Sequence, residues 1–265
     1  MPYFKHDDIE LFYIQEGKGE PLVLISGLGS KHSWLFQVPY FKEKMMVITL
    51  HNRGTGKSSR PNYPYTIDMF IEDVIALLDY LGIKEKIHLV GLSMGGMIAQ
   101  HIVLKYPEKV KTLTLCATTA LHTGSSIVES QKMMEGYSME EKFKVRIGAL
   151  YAKPFRRKLR HDIELYETLE KMYTEEPTQI QDWINQGAAI VDHDSRDRLK
   201  EIKHPTLILA GDSDRLILPE NSKLLNKHIP NSKLEFIENT GHRFNFEEPE
   251  KVNELIWNFI RENLV

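Results

Sequence analysis

The chain has 265 residues, 42 % of them apolar and 27 % charged, with a formal net charge of −3. That length and composition suit one large globular domain, or a core domain carrying an insertion, and the near-balanced charge gives no basis for a nucleic acid or an anionic membrane surface as partner. The single cysteine, Cys116, excludes an internal disulfide and sits in an apolar run as a small core residue.

The first eight residues lack the basic and apolar regions of a signal peptide, and no window reaches the roughly 18 apolar residues of a membrane span. The expectation is a soluble, cytoplasmic protein. Short apolar runs then alternate with amphipathic helical patterns, as in a mostly parallel α/β sheet. Residues 10–15 read as an early strand in an antiparallel hairpin. Residues 21–25 and 45–50 are nearly continuous apolar runs, as expected of strands buried on both faces. Between 66 and 81, Phe70, Val74, Leu77, Leu78 and Leu81 recur at helical spacing, and Gly82 stands where a C-terminal cap belongs. Further strands are read at 87–90, 113–117, 206–210 and 234–237. Val252, Leu255, Ile256, Phe259 and Ile260 form the stripe of a last helix, with Pro249 near its start.

Residues 121–198 differ. They are rich in Met, Lys, Arg and Glu, show helical patterns at 139–151 and 162–173 with Pro154 and Pro177 as breaks, and contain no buried-strand run. The organisation read from this is a core of residues 1–120 and 199–265 with a helical cap, or lid, of residues 121–198.

The chemistry centres on Gly91-Leu92-Ser93-Met94-Gly95, which follows one apolar strand and opens a helix. That context is what a G-x-S-x-G nucleophile elbow requires, because a serine on so sharp a turn needs neighbours without a Cβ. A serine hydroxyl is a weak nucleophile near neutral pH, so Ser93 needs a base and the base needs an orienting acid. Among eleven histidines, His242 follows Gly241 in the loop after the last strand and is preferred to His101, His204 and His228. For the acid, Asp214 in Gly211-Asp212-Ser213-Asp214 has the better reach, and Asp212 reads as a turn-former. Two backbone N–H groups are expected to hold an oxyanion: that of Met94 and, in the loop Ser26-Gly27-Leu28-Gly29, that of Leu28. Gly54-Thr55-Gly56-Lys57-Ser58 has the end of a P-loop, but His51 stands where its first glycine belongs.

With Asn52-Arg53-Gly54-Thr55-Gly56-Lys57-Ser58, these pieces come in the order and spacing of an α/β-hydrolase-fold serine hydrolase, which the chain resembles over nearly its whole length. Stretches 65–83 and 197–207 look most like 3-oxoadipate enol-lactonases and cofactor-free haloperoxidase-like esterases. The resemblance implies an eight-stranded, mostly parallel sheet, a helical cap after the sixth strand and a triad at Ser93, Asp214 and His242. Ser26 and Asn52 depart from the family's common His and Asp, and serine at the elbow argues against haloalkane dehalogenases and epoxide hydrolases. The expected activity is hydrolysis of a small carboxylic ester or lactone without metal or organic cofactor. A carbon–carbon bond hydrolase with the same triad and a ligand receptor with vestigial turnover are the alternatives. Trp34, Met133, Met134, Phe143, Tyr151 and Trp183 are candidates for the pocket wall or for cap packing. The basic run Lys153, Arg156, Arg157, Lys158 and Arg160 reads as a solvated helix face, with attraction of a carboxylate-bearing lactone as the alternative.

Overall fold

The computed structural model describes residues 2–122, 134–191 and 193–264. Eight strands form one sheet: β1 (Tyr3–His6), β2 (Ile9–Glu16), β3 (Pro21–Ile25), β4 (Met46–Leu50), β5 (Ile87–Leu92), β6 (Val110–Cys116), β7 (Thr206–Gly211) and β8 (Ser232–Ile237). Their spatial order is β1-β2-β4-β3-β5-β6-β7-β8. The β1–β2 hairpin and the β2–β4 pair are antiparallel, and every other pairing is parallel. This is the mostly parallel, eight-stranded α/β arrangement expected from the sequence.

Successive side chains on a strand point to opposite faces, so each apolar run feeds two cores. Val23 and Ile25 of β3 pack with Leu89 under the helices Ile67–Tyr80 and Met94–Lys105. Leu22 and Leu24 join Val90, Leu92 and Cys116 against Val252, Ile256 and Ile260 of the helix Pro249–Glu262. Burial there pushes the Cys116 thiol up, as suits an inert core residue. Thr66 caps the helix Ile67–Tyr80 by accepting from the Met69 N–H at 3.2 Å.

β6 begins at Val110, three residues before the run read at 113–117. Lys111 and Thr112 hide its start, yet Lys111 reaches Glu20 at 2.9 Å and the buried Thr112 hydroxyl contacts His88 Nδ1 at 2.8 Å. Between β6 and β7 lie the helices Met139–Leu150, Lys153–Lys158, Ile163–Thr174 and Ile180–Val191. Phe143, Tyr151, Phe155 and Leu169 give this segment its own apolar cluster, which meets the core through Phe246.

The loop after β4 is held by a buried ion pair. Arg53 donates from Nε and Nη2 to Asp73 at 2.8 and 2.7 Å, and Asp73, 1 % exposed, also contacts His6 Nδ1 at 2.8 Å. Removing one partner of such a pair strands a buried charge. Asp73→Ala is therefore expected to cost about 3–5 kcal/mol in urea unfolding, and a loss below about 1 kcal/mol would contradict this role.

Candidate active site

Ser93 is the hinge between β5 and the helix Met94–Lys105, with φ 56° and ψ −120°. A non-glycine residue holds such a conformation only when its surroundings over-determine it. Here the Ser93 N–H donates to the Cys116 carbonyl at 2.9 Å, while the Ser93 carbonyl accepts from Gly96 N–H at 2.9 Å and Thr118 Oγ1 at 2.8 Å. The glycines make the turn possible. A Cβ at Gly91 would lie 2.2 Å from the Gly95 carbonyl oxygen, and one at Gly95 2.2 Å from that of Ile25.

His242 stands in the loop after β8, with Nδ1 2.8 Å from Asp214 Oδ2. Asp214 Oδ1 accepts from the Leu216 and Ile217 N–H groups at 2.8 and 3.0 Å, so the carboxylate is fixed from both sides. A carboxylate accepts, so His242 donates from Nδ1 and keeps Nε2 as the nitrogen able to take a proton. Asp212 is exposed and accepts from Ser213 Oγ at 2.9 Å, as a turn residue does. His101, His204 and His228 bond instead to His193 Nδ1, the Pro107 carbonyl and the Leu224 carbonyl.

Ser93 and His242 both open onto a cavity of about 240 Å³. Its floor includes Gly27, Leu28 and Gly29, and its roof is drawn from the inserted helices, among them Arg146, Tyr173 and Trp183. The floor approaches Ser93 closely: a Cβ at Gly27 would lie 3.2 Å from the Ser93 Cβ. Gly29, at φ +64°, would put a Cβ 2.4 Å from the Trp183 ring. Its N–H donates to Gln186 Oε1 and its carbonyl accepts from Thr178 Oγ1, both at 2.8 Å. Gln186 in turn donates from Nε2 to the Arg53 carbonyl at 2.8 Å and to Thr55 Oγ1 at 2.5 Å. Met94 opens its helix, so its N–H has no intrahelical acceptor.

The structure separates the pocket candidates. Trp183 and Met134 line the cavity. Trp34 does not: it is 3 % exposed, packed in the cluster of Leu22 and Phe41, where its carbonyl accepts from the Gln37 and Val38 N–H groups. Phe143 and Tyr151 are absent from the wall as well, because both fill the apolar cluster of the inserted helices. Met133 lies outside the described residues. Lys153, Arg157, Lys158 and Arg160 are exposed, and none of them borders this cavity. Among the described residues no group of three or more His, Cys, Asp or Glu side chains is arranged to hold a metal ion, and no helix is long and apolar enough to cross a membrane.

Two residues of the site have no motif in the sequence. Gln186 is 0 % exposed, on a helix whose buried residues also include the polar Asp182 and Asn185, so its polarity alone does not single it out. Glu247, 7 % exposed, accepts from the Gly241 N–H at 2.7 Å and from the Ala152 N–H at 3.1 Å, joining the His242 loop to the inserted segment. Burial pushes its carboxyl from 4.5 up to about 7 against the opposing pull of those two donors, with Asp214 adding to the rise.

The description of the alpha/beta hydrolase fold matches residues 20–249. The chain belongs to the α/β-hydrolase family. It is 29 % identical over 261 residues to 3-oxoadipate enol-lactonase 2 of Acinetobacter baylyi, covering 94 % of this chain and 92 % of that one. A thermophilic esterase from Thermogutta terrifontis superposes with a TM-score of 0.84 at 27 % identity, over 97 % of this chain and 95 % of that one. A bromoperoxidase from Bacillus anthracis gives a TM-score of 0.82 at 28 % identity, with 96 % of each chain covered. The lactonase and haloperoxidase resemblance expected from the sequence is thus found among its relatives.

A carboxyl whose folded pKa is raised stabilises the fold below its unfolded value and loses that contribution as pH rises through the folded one. The stability difference between the wild type and Glu247→Gln is therefore expected to fall as pH rises from about 4.5 to about 7, measured as paired urea midpoints. A difference that stays flat or grows over this window would contradict the assignment.

Proposed function

We propose that this α/β-hydrolase cleaves a small carboxylic ester or lactone through an acyl-enzyme on Ser93. One observation carries the reading. The strained elbow serine and His242, itself held by Asp214, open onto one cavity, whose floor at Gly27 lies close beside the serine. Ser93 Oγ attacks the carbonyl carbon as His242 Nε2 takes its proton. The carbonyl oxygen becomes an oxyanion and accepts from the N–H groups of Met94 and Leu28. Collapse of this intermediate breaks the bond to the alcohol oxygen, which leaves with the proton from His242. A water then gives a proton to Nε2 and attacks the acyl carbon; the bond from that carbon to Ser93 Oγ breaks, Nε2 returns the proton to Oγ, and the acid leaves.

Asp214 supports the imidazole throughout, holding its tautomer and offsetting the charge of the imidazolium. The inserted segment acts as the lid of residues 121–198: Trp183 and Gln186 hold Gly29, leaving the neighbouring Leu28 N–H for the substrate. The ligand is a small molecule, as a cavity of about 240 Å³ suits. Relatives named as an enol-lactonase and an esterase support this substrate class.

On p-nitrophenyl acetate and butyrate, Ser93→Ala is expected to lose about 1,000-fold or more in kcat, and Asp214→Asn a loss of comparable order, with unchanged circular dichroism. Retention of activity within about tenfold by Ser93→Ala would rule out nucleophilic catalysis by this serine.

A further inference from the structure

Beyond the reaction itself, the cavity wall carries a buried guanidinium, that of Arg243. The one acidic side chain among the described lining residues, Glu176, is already paired with Lys31 at 2.9 Å. Arg146 lies over the Tyr173 and Trp183 rings, with its guanidinium carbon 5.8 and 5.4 Å from their centroids. Arg243 is 5 % exposed and follows the proposed base in the chain. Nη1 donates to Ser33 Oγ at 3.3 Å, the guanidinium stacks 4.4 Å from the Phe246 centroid, and the Tyr151 hydroxyl lies beside it. No carboxylate among the described residues pairs with it, and its Nε and Nη2 have no hydrogen-bond partner.

A guanidinium taken out of water without an anion is costly to the fold. The same wall holds a further unmet donor, Trp183 Nε1. Every buried polar side-chain atom left without a partner among the described lining residues is therefore a donor, and what the cavity lacks is an acceptor carrying negative charge. His32, on the same wall, is held below its ordinary pKa by burial and then by the charges of Lys31 and Arg243.

We propose that Arg243, with Trp183 beside the cavity, forms an anion subsite, so that the preferred ester or lactone carries a carboxylate away from the bond that is cleaved. This rests on the hydrolase reading for the reaction but not for the binding. A carboxylate offers two acceptor oxygens to the fork of the guanidinium, and a hydrogen-bonded charge pair in a water-poor site discriminates well against a neutral ligand of the same shape.

Two pairs of esters test it. Mono-(p-nitrophenyl) glutarate against p-nitrophenyl pentanoate puts the charge in the acyl half; 4-acetoxybenzoate against its methyl ester puts it in the alcohol half. In at least one pair the anionic ester should show a kcat/KM about tenfold or more above the neutral one, and Arg243→Met should erase most of that ratio, with Arg243→Lys restoring part. Calorimetric titration of Ser93→Ala with glutarate should give binding that Arg243→Met weakens by about tenfold or more. Neutral esters turned over without preference, together with no glutarate binding, would overturn the subsite and leave the hydrolase reading intact. Glutarate binding without any ester turnover would overturn the hydrolase reading and leave the subsite. A preference for the anion that neither Arg243 variant alters would overturn the assignment to Arg243.

Discussion

The site depends on how closely one helix is allowed to approach one sheet. Met94–Lys105 must start immediately after β5, so the chain reverses within Ser93, and the crossing leaves no space for a Cβ at Gly91 or Gly95. The serine takes a backbone conformation that would be unfavourable in isolation, and hydrogen bonds from Gly96 and Thr118 and to Cys116 hold it there. The outcome is a side chain at the end of the central strands, beside a helix N-terminus whose free N–H and partial positive charge favour developing negative charge. A larger residue at either glycine would lift the helix and separate the serine from the loop of Gly27 and Leu28.

The remaining parts of the site are held through the inserted segment rather than by the sheet alone. Gln186 clamps the Gly29 N–H and ties it to the loop containing Arg53, which is anchored in turn by Asp73. Glu247 does the corresponding work on the other side, using one oxygen for the His242 loop and the other for Ala152. Both loops that border the cavity thus share hydrogen bonds with the segment that roofs it. Displacement of that segment would loosen the Gly29 loop and the His242 loop together.

The strands were legible because parallel strands buried on both faces read as continuous apolar runs, and β3 coincides with residues 21–25. β6 was legible only in part, since Lys111 satisfies its charge through Glu20, a partner far away in sequence. At the site, the elbow, the His242 loop and the Asp214 turn carry local signatures, because sharp turns demand glycine. Trp34 and Phe143 have no such signature: an aromatic residue looks the same on a pocket wall and in a core, and only the path of the chain separates them. Gln186 and Glu247 act on backbone groups distant in sequence, so no spacing announces them.

The most direct test is covalent trapping. Incubation with a fluorophosphonate, followed by intact-mass and peptide mass spectrometry, should give a single phosphonyl adduct on the peptide containing Ser93, and none on Ser93→Ala. It should form much more slowly in a His242→Ala background, since the base activates the hydroxyl. No adduct on the folded wild type, or an adduct on another residue, would contradict a nucleophilic Ser93.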